Sequence, residues 1–248
     1  MLLFLGLPSV RADDPKPDPK SIHPNVKLTN PLGLMPGIKT KVLLRGQKLD
    51  QATAIKIGPW PDAAKILKKE AAPQIKPFEP DRVGDQQLEV EITLPIDAFP
   101  GGTHLVVVTP EGETPPRSIL IDPPGTLVSE REPNNSFREA QPLALGQTMQ
   151  GTIQQPQDID LFRYEGRAGE QVAFEIVAAR QGSALDSLLM LFDHQQHLLA
   201  VNDDTHGSRD SLIEITLPAD GPYFLSLQDA QDLGGNSHPY RLQVRSSR

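Results

Sequence analysis

Short apolar runs that end at a glycine or a proline recur along the whole chain, and they restrict the possible fold more than any other feature. The run "QLEVEITL" alternates strictly, so that Leu88, Val90 and Ile92 face one way and the glutamates between them face the other. The 248 residues include 25 prolines and 19 glycines, which favour turns, and only 5% aromatic residues. The pattern predicts an all-β protein built from short strands.

The strand signals fall into two groups of similar size. Residues 21–122 contain short strands between regular turns, which is typical of an Ig-like sandwich of about seven strands. Residues 130–248 contain about eight candidate strands, which indicates a jelly-roll-like sandwich. The Pro/Gly-rich residues 123–129 are predicted as the linker. We therefore expect two β-sandwich domains in tandem.

The composition changes across the predicted linker. Residues 127–248 hold nine basic and seventeen acidic side chains, and this difference is the whole net charge of −8. All nine of those basic residues are arginine, whereas nine of the twelve basic residues in 21–126 are lysine. This shift favours a domain boundary near Pro124. An acidic domain repels nucleic acid and anionic membranes and attracts cations, so we expect no nucleic-acid partner.

The first residues indicate export. Residues 2–10 form an apolar segment, and Val10 and Ala12 are small residues at the positions that a signal peptidase prefers, although no basic residue precedes the segment. We predict a signal peptide over 1–12 and a disordered leader over 13–20; the alternative is that residues 2–10 form a buried strand. The chain has no cysteine, and no apolar run approaches the ~20 residues of a membrane helix. These features predict a secreted or cell-envelope protein of a bacterium, without membrane insertion.

The stretch "SEREPNNSFREA" concentrates oxygen-bearing side chains directly after the predicted linker. In an extended segment Glu130, Glu132 and Asn134 point to one side, because side chains alternate along a strand. Asp158 and Asp160, again two residues apart, offer further oxygens. Calcium takes six to eight oxygen ligands at about 2.3–2.6 Å. The segment is therefore a candidate calcium site, and the alternative is a solvated linker.

The acidic groups also have purely structural interpretations. Ser136 and Glu139 have the spacing of a capping box, in which Asn135 and Ser136 satisfy backbone donors at the start of a short helical turn. A second acidic group either holds a second ion or caps turns. Its members are Asp186, Asn202, Asp203, Asp204, Asp210 and Asp229.

The sequence offers no motif for catalysis. It contains no HExxH, no GxSxG and no phosphate-binding GxxxxGK. His194 and His197 have a spacing that zinc uses, but no third ligand accompanies them, and a hairpin turn is the alternative. We therefore expect the chain not to be an enzyme.

The second half resembles a bacterial pre-peptidase C-terminal domain over residues 129–244. The resemblance is carried by "EREPNNSFREAQPLALGQTMQGTI", "DIDLFRYEGRAGEQVAFEI", "SALDSLLMLFD", "LLAVNDD", "ADGPYFLSLQDA" and "YRLQV". Such domains are β-sandwiches attached to secreted peptidases and other exported proteins, and they are typically non-catalytic. Some, as in clostridial collagenases, bind calcium through the linker segment. The resemblance implies calcium ligands at Glu130, Glu132, Asn134, Asn135, Asp158 and Asp160.

The first half is similar to immunoglobulin-like IPT/TIG domains through "LLRGQKLDQAT" and "GGTHLVVVTPEG". The tandem resembles exported proteins of planctomycete-type bacteria. Together these resemblances imply a non-catalytic exported binding or adhesion module with a calcium-stabilised junction, whose partner is extracellular polysaccharide or protein. The alternative is an accessory region that assists the secretion or maturation of a separate peptidase. The candidate aromatic platforms for a ligand are Trp60, Tyr164, Tyr223 and Tyr240.

Overall fold

The protein is built almost entirely from β-strands. The computed structural model describes residues 23–205 and 207–247, so the predicted signal peptide and leader lie outside the described residues. Strands make up 51% and helices 3% of the structure, which confirms the all-β prediction. Over the described ranges the helices are one short α-helix, α1 (Pro80–Val83), and one 3-10 turn (Ala179–Gln181).

The first sandwich has the immunoglobulin arrangement that the sequence predicts. One sheet has the order β1-β3-β6-β5, and the facing sheet has the order β2-β9-β7-β4 with β8 paired to β7. These orders correspond to the ABED and CFG sheets of an immunoglobulin constant-type sandwich, with β2 and β8 as additional short strands. The strands are β1 (Asn25–Asn30), β2 (Gly33–Leu34), β3 (Lys39–Gln47), β4 (Ala54–Ile57), β5 (Ala64–Ala71), β6 (Gln86–Thr93), β7 (Gly101–Thr109), β8 (Gly112–Glu113) and β9 (Arg117–Ile121).

Strict alternation in β6 produces the core of this sandwich. Leu88, Val90 and Ile92 are fully buried, and they pack in one cluster with Leu105 and Val107 of β7 in the facing sheet. Burying such aliphatic side chains is worth about 1.5–3 kcal/mol each relative to exposure. The alternating pattern therefore determines which face of the sheet is buried, and the sequence prediction for this strand is confirmed.

Strand β5 forms one edge of the first sheet. It lies between Pro61 and Pro73, and it pairs only with β6 within this sheet. Its register shifts between Ile66 and Lys68, and most of its side chains are exposed. This edge is therefore both charged and bent.

The second sandwich has the strand order of a jelly roll, as predicted. One sheet has the order β10-β12-β19-β14-β17 and the other β11-β13-β18-β15-β16, so that successive long strands mostly alternate between the sheets. The strands are β10 (Leu127–Ser129), β11 (Gln141–Pro142), β12 (Thr148–Thr152), β13 (Ile159–Gly166), β14 (Gln171–Val177), β15 (Ser187–Phe192), β16 (Leu198–Asn202), β17 (Leu212–Thr216), β18 (Gly221–Asp229) and β19 (Pro239–Ser246).

The two short strands β10 and β11 lengthen both sheets of the jelly roll on the same side. Each pairs in parallel with its neighbour, β10 with β12 and β11 with β13. Residues 127–129, which fall in the predicted linker, thus belong to the second sandwich. The connection between the sandwiches reduces to the turn at residues 123–126, where the Thr126 N–H donates to the Pro123 carbonyl at 3.2 Å.

A buried ion pair joins the two sandwiches. The guanidinium of Arg241 on β19 donates to both carboxylate oxygens of Asp122, which follows β9, and the side chains are 2% and 7% exposed. The absence of a side chain at Gly33 makes room for this pair, because a Cβ there would lie 1.7 Å from the Arg241 Nη1. The Gly33 N–H donates to the Gln150 Oε1 at 2.7 Å. The junction therefore contains specific buried polar contacts.

An apolar contact lies beside this polar junction. Phe78 and Val83, from the segment between β5 and β6, pack with Ala184 of the second sandwich. The Phe78 ring lies 6.2 Å from the ring of His238, which is fully buried. His238 faces the carboxylate of Asp229 at 3.9 Å, and the nearby charged groups are Arg82 and Arg209. Burial lowers the pKa of His238 from 6.5 to about 4, against the opposing effect of Asp229.

Candidate metal centre

The segment of residues 130–134 crosses the second sandwich between its two sheets. The Glu130 N–H donates to the Gln150 carbonyl on β12 at 2.9 Å, and the Asn134 carbonyl accepts from the Leu161 N–H on β13 at 2.9 Å. The segment is therefore held at both ends by strands of different sheets. A freely solvated linker would not make these contacts.

Three carboxylates meet beneath this segment. Glu130, Glu132 and Asp160 each bring an oxygen to within 4.8 Å of the others. Asp160 lies on β13 and is fully buried, whereas Glu130 is half-buried and Glu132 is exposed. The fully buried Asn134 is held beside them, since its Nδ2 donates to the Glu130 Oε1 at 3.0 Å. The alternation of Glu130, Glu132 and Asn134 thus brings all three to the same cluster.

Two buried oxygens in this cluster face no donor. Among the residues that the structure describes, the Oδ1 atoms of Asn134 and Asp160 have no hydrogen-bond partner. A buried acceptor without a partner costs about 1–3 kcal/mol, and more when it is charged. Both atoms are oxygens that lie beside further oxygens, which is the kind of environment that a cation would satisfy.

The pKa values of two carboxyl groups in the cluster are raised. Burial and the charge of Glu130 raise the pKa of Asp160 to about 10, and burial also raises the pKa of Glu132. No lysine or arginine in the described ranges forms an ion pair with any of the three carboxylates. In the absence of a cation the cluster therefore disfavours ionisation of Asp160, and a bound cation would oppose this effect.

Two further groups hold Glu130 in place, and sequence reasoning missed both. The Tyr240 hydroxyl lies 2.5 Å from the Glu130 Oε1 and 2.7 Å from the Asp160 Oδ2, so it bridges the two carboxylates. The Thr152 N–H donates to the Glu130 Oε2 at 2.9 Å. Tyr240 and Thr152 lie far from Glu130 in the chain, and only the sheet order brings them there.

The other two predicted ligands lie at the margin of the cluster. Asp158 is buried before β13, and its Oδ2 accepts from the Gln154 N–H at 2.6 Å. Its charge acts on Glu132 and Asp160, but it stands outside the close group of three. Asn135 is exposed, and its Oδ1 lies 3.4 Å from the Asn134 nitrogen. The structure therefore gathers Glu130, Glu132, Asn134 and Asp160 more closely than the remaining two.

The predicted capping box forms a turn without a helix. The Glu139 N–H donates to the Ser136 carbonyl at 2.9 Å, and the Ser136 hydroxyl donates to the Glu139 carboxylate at 2.7 Å. The chain between them is anchored by Phe137, whose ring makes edge contacts with Phe192 and Phe224 at 5.6 and 5.2 Å. This turn fixes the far end of the metal-binding candidate segment.

The second acidic group is spread over several turns. Asp210 accepts from the N–H groups of Ala178 and Ala179 at 3.0 and 2.6 Å. Asp229 accepts from the N–H groups of Asp186, Gln231 and Leu233. The side chains of Asp203 and Asp204 are exposed, and Asn202 accepts from the Leu212 N–H at 2.8 Å. These contacts correspond to the turn-capping interpretation.

The candidate aromatic platforms are largely missing from the surface. Tyr164 and Tyr223 are 3% exposed and Tyr240 is fully buried, so these three tyrosines offer no surface for stacking a ligand. Trp60 is partly buried against the core of the first sandwich. Aromatic residues that alternate with polar ones in a sandwich strand face its core, and this accounts for the tyrosines.

Comparisons with known proteins give one relative of substantial identity. No family model matches the chain. A Deinococcus radiodurans protein named "Probable subtilase-type serine protease" is 31% identical over an alignment of 216 residues, and the alignment covers 84% of this chain and 29% of that protein. The chain thus spans less than a third of the length of this curated relative.

Solved structures with detectable likeness include a domain of the kind that the sequence resembles. The pre-peptidase C-terminal domain of the Bacillus anthracis collagenase is 14% identical, with 46% of this chain and 99% of that one covered and a TM-score of 0.35. The periplasmic inhibitor of g-type lysozyme from Aeromonas hydrophila is 17% identical, with coverages of 48% and 94% and a TM-score of 0.31. A Bacteroides ovatus protein from a mixed-linkage glucan utilization locus, solved with a heptasaccharide, is 9% identical, with a TM-score of 0.26. The match covers 79% of this chain and 71% of that one. All three TM-scores are below 0.5.

The described part of the chain contains no helix long and apolar enough to cross a membrane. The likeness to IPT/TIG domains and to planctomycete-type proteins stays a prediction from the sequence, since no comparison addresses it.

Proposed function

We propose that this chain is a non-catalytic binding module of an exported protein, in which calcium at the start of the second sandwich stabilises the junction with the first. The observation that carries the proposal is the pair of buried oxygens, Asn134 Oδ1 and Asp160 Oδ1, that face carboxylates and no donor. A divalent cation there would satisfy both oxygens and offset the repulsion among Glu130, Glu132 and Asp160.

The donor set favours calcium over other divalent ions. The side chains that approach one another offer only carboxylate and amide oxygens, which calcium accepts in irregular arrangements of six to eight. Magnesium requires a nearly ideal octahedron, and zinc prefers nitrogen and sulfur ligands. Glu130, Glu132, Asn134 and Asp160 would hold the ion, with Asp158 and Asn135 as further candidates.

The position of the cluster connects the ion to the domain junction. Glu130 accepts from the Thr152 N–H, and the Thr152 hydroxyl accepts from the Asn30 Nδ2 of the first sandwich at 3.3 Å. Gln150, whose carbonyl holds the Glu130 N–H, accepts with its side chain from the Gly33 N–H. An ion that fixes Glu130 would therefore stabilise strand β12, which contacts both sandwiches.

Thermal unfolding of the protein in chelator and in millimolar calcium tests the proposal. Calcium should raise the melting temperature, because a ligand at ~100 times its dissociation constant stabilises the native state by about 2.7 kcal/mol. Magnesium should have a smaller effect. Asp160→Asn and Glu132→Gln should lose most of the calcium effect. The control Glu139→Gln, whose carboxylate serves the Ser136 turn, should retain it.

An equal melting temperature of the wild-type protein in chelator and in calcium would sink the metal assignment. A calcium effect that survives Asp160→Asn would place the ion elsewhere. Asp160→Asn keeps an oxygen that can accept from Tyr240, so a loss of folding in chelator is not expected.

The match to the Deinococcus radiodurans protein favours a second function, that of an accessory region of a peptidase. Its aligned 216 residues amount to 29% of a protein named as a subtilase-type protease, and they correspond to most of this chain. In this alternative the two sandwiches assist secretion or maturation of a catalytic part. Deleting the aligned region from that protein and measuring secreted proteolytic activity distinguishes the two functions. Unchanged secretion and maturation would favour the binding module, provided that the present chain alone hydrolyses neither casein nor gelatin.

A further inference from the structure

A cavity of about 770 Å³ opens on the side of the second sandwich where β10 and β11 end the two sheets. Val128 of β10, Pro142 of β11 and the following Leu143 and Leu145 supply apolar lining. Leu145 is 51% exposed, so aliphatic surface is accessible from solvent at this edge. Cavities of this size are typical of ligand sites when a few polar groups converge in them.

The cavity continues into a second one, and together they form a groove. The second cavity has a volume of about 440 Å³ and shares Leu145 and Glu170 with the first. Its other lining residues, which include Gln171 and Ser246, lie at the ends of β14 and β19. An elongated groove suits an extended chain better than a compact metabolite.

The two glutamates that line the cavity are already engaged. Glu165 is paired with Arg163. The Glu170 carboxylate accepts from the Tyr164 hydroxyl at 2.5 Å and from the Arg167 backbone N–H at 3.1 Å. Arg163 thus offsets the charge of Glu165, and the Glu170 carboxylate is held in place by its two donors.

Two arginines that line the same cavity have uncommitted guanidinium groups. In the ranges 23–205 and 207–247, neither Arg131 nor Arg167 forms an ion pair with a carboxylate. Unpaired guanidinium groups over an apolar floor form a site for a carboxylate attached to an apolar body.

Arg131 is oriented by its two neighbours in the chain. Glu130 and Glu132 both face Asp160, whereas Arg131 lies between them in sequence and lines the cavity on the other side. The Arg131 N–H donates to the Gln141 Oε1 at 2.8 Å, and the Gln141 Nε2 donates to the Ser129 carbonyl at 3.0 Å. The backbone that carries Arg131 is thus tied to β11 as well as to the carboxylate cluster.

We infer that this groove binds an extended peptide segment in which an acidic side chain alternates with aliphatic ones. The carboxylate pairs with Arg131 and Arg167, and the aliphatic side chains cover Val128, Pro142 and Leu145. A polysaccharide fits less well, because sugar rings stack on exposed aromatic side chains and Tyr164, the aromatic residue of the lining, is 3% exposed. The inference deepens the proposed binding module by naming the ligand class, and it rests on that function.

Fluorescence anisotropy with synthetic probes tests the inference on the full chain. The probe is a labelled eight-residue peptide that alternates glutamate with leucine or valine, and its matched control carries glutamine at every glutamate. The wild-type protein should bind the glutamate peptide and not the glutamine peptide. Arg131→Gln should weaken binding about ten-fold or more, as expected for a hydrogen-bonded charge pair. Arg138→Gln, an exposed arginine of the same segment outside the cavity, should change it less than about two-fold.

Three results of the binding experiment would count against the inference. Equal binding of the two peptides, or equal weakening by Arg131→Gln and Arg138→Gln, shows that the groove does not select a carboxylate. Binding of oligogalacturonate in place of the peptide assigns the groove to an acidic polysaccharide and overturns the peptide assignment. Melting temperatures of both variants exclude misfolding as the cause.

The groove and the metal site are tested separately. Peptide binding together with no thermal response to calcium would reject the metal assignment alone, and a calcium response without peptide binding would reject the groove alone.

Discussion

The buried pair of Asp122 and Arg241 offers the most direct test of how the two sandwiches are held together. Its side chains are 7% and 2% exposed, and the guanidinium contacts both oxygens of the carboxylate. Asp122→Asn preserves the shape of the side chain but leaves the Arg241 charge buried without a counterion. Removing one partner of a buried pair typically costs about 3–5 kcal/mol. We expect Asp122→Asn to lower the free energy of unfolding by about 3 kcal/mol.

A double-mutant cycle separates the pair from its surroundings. The cycle compares the single variants Asp122→Leu and Arg241→Met with the variant that carries both. The double variant replaces the ions with apolar side chains of similar volume, and such replacements are often neutral or stabilising. We therefore expect the double variant to be more stable than Asp122→Asn, with a coupling energy of about 2–3 kcal/mol between the two sites.

Urea unfolding at a fixed calcium concentration measures these free energies without screening the charges. Additive effects of the two single substitutions, or a loss below about 1 kcal/mol for Asp122→Asn, would refute the argument, because the pair would then behave like an exposed one. A curve with two transitions would show that the sandwiches unfold separately, and the loss should then appear in the transition that reports the junction.

Three further substitutions probe the same junction. Gly33→Ala should cost about 3 kcal/mol in urea unfolding, since its Cβ would collide with the ion pair, whereas Gly102→Ala, with no atom within 4 Å of its Cβ, should change stability by less than about 0.5 kcal/mol. Phe78→Ala should cost about 3 kcal/mol by emptying the apolar contact, and a loss below about 1 kcal/mol would contradict that contact. The lowered pKa of His238 means that the folded state binds fewer protons than the unfolded state, so its contribution is complete above pH 6.5 and falls by up to about 3 kcal/mol as the pH drops to about 4. The difference between the wild type and His238→Gln in unfolding free energy should follow that dependence, and a difference independent of pH would contradict it.

The sequence predicts the long strands well because their pattern is periodic. The strict alternation in β6 predicts both that the segment is a strand and which of its faces is buried. The eight candidate strands of the second half correspond to β12 to β19 within a few residues. Strand β10 is different, since three residues beside "PPG" carry no period and become a strand only through pairing with β12. Short edge strands of this kind are determined by their partner, and a local pattern does not reveal them.

The candidate metal site is only partly visible in the sequence for a related reason. Alternation alone places Glu130, Glu132 and Asn134 on one side, and the structure gathers them with Asp160. The bridging hydroxyl of Tyr240 comes from the last strand, 110 residues away from Glu130. Its contact depends on the sheet order of the jelly roll, which periodicity does not specify. The buried oxygens without donors are likewise a property of the packed structure.

Strand β5 has a consequence for how copies of this protein meet in a crowded environment. Its open side presents unpaired backbone groups, which another extended chain could extend into a continuous sheet. Lys65, Lys68 and Lys69 stand on this edge, and the register shift after Ile66 interrupts its straight run. A second copy arriving edge to edge would bring the same lysines opposite these and would meet a bent strand. The first sandwich is therefore protected against linear polymerisation through this edge, and replacing the three lysines with threonine should promote fibril growth that thioflavin fluorescence detects.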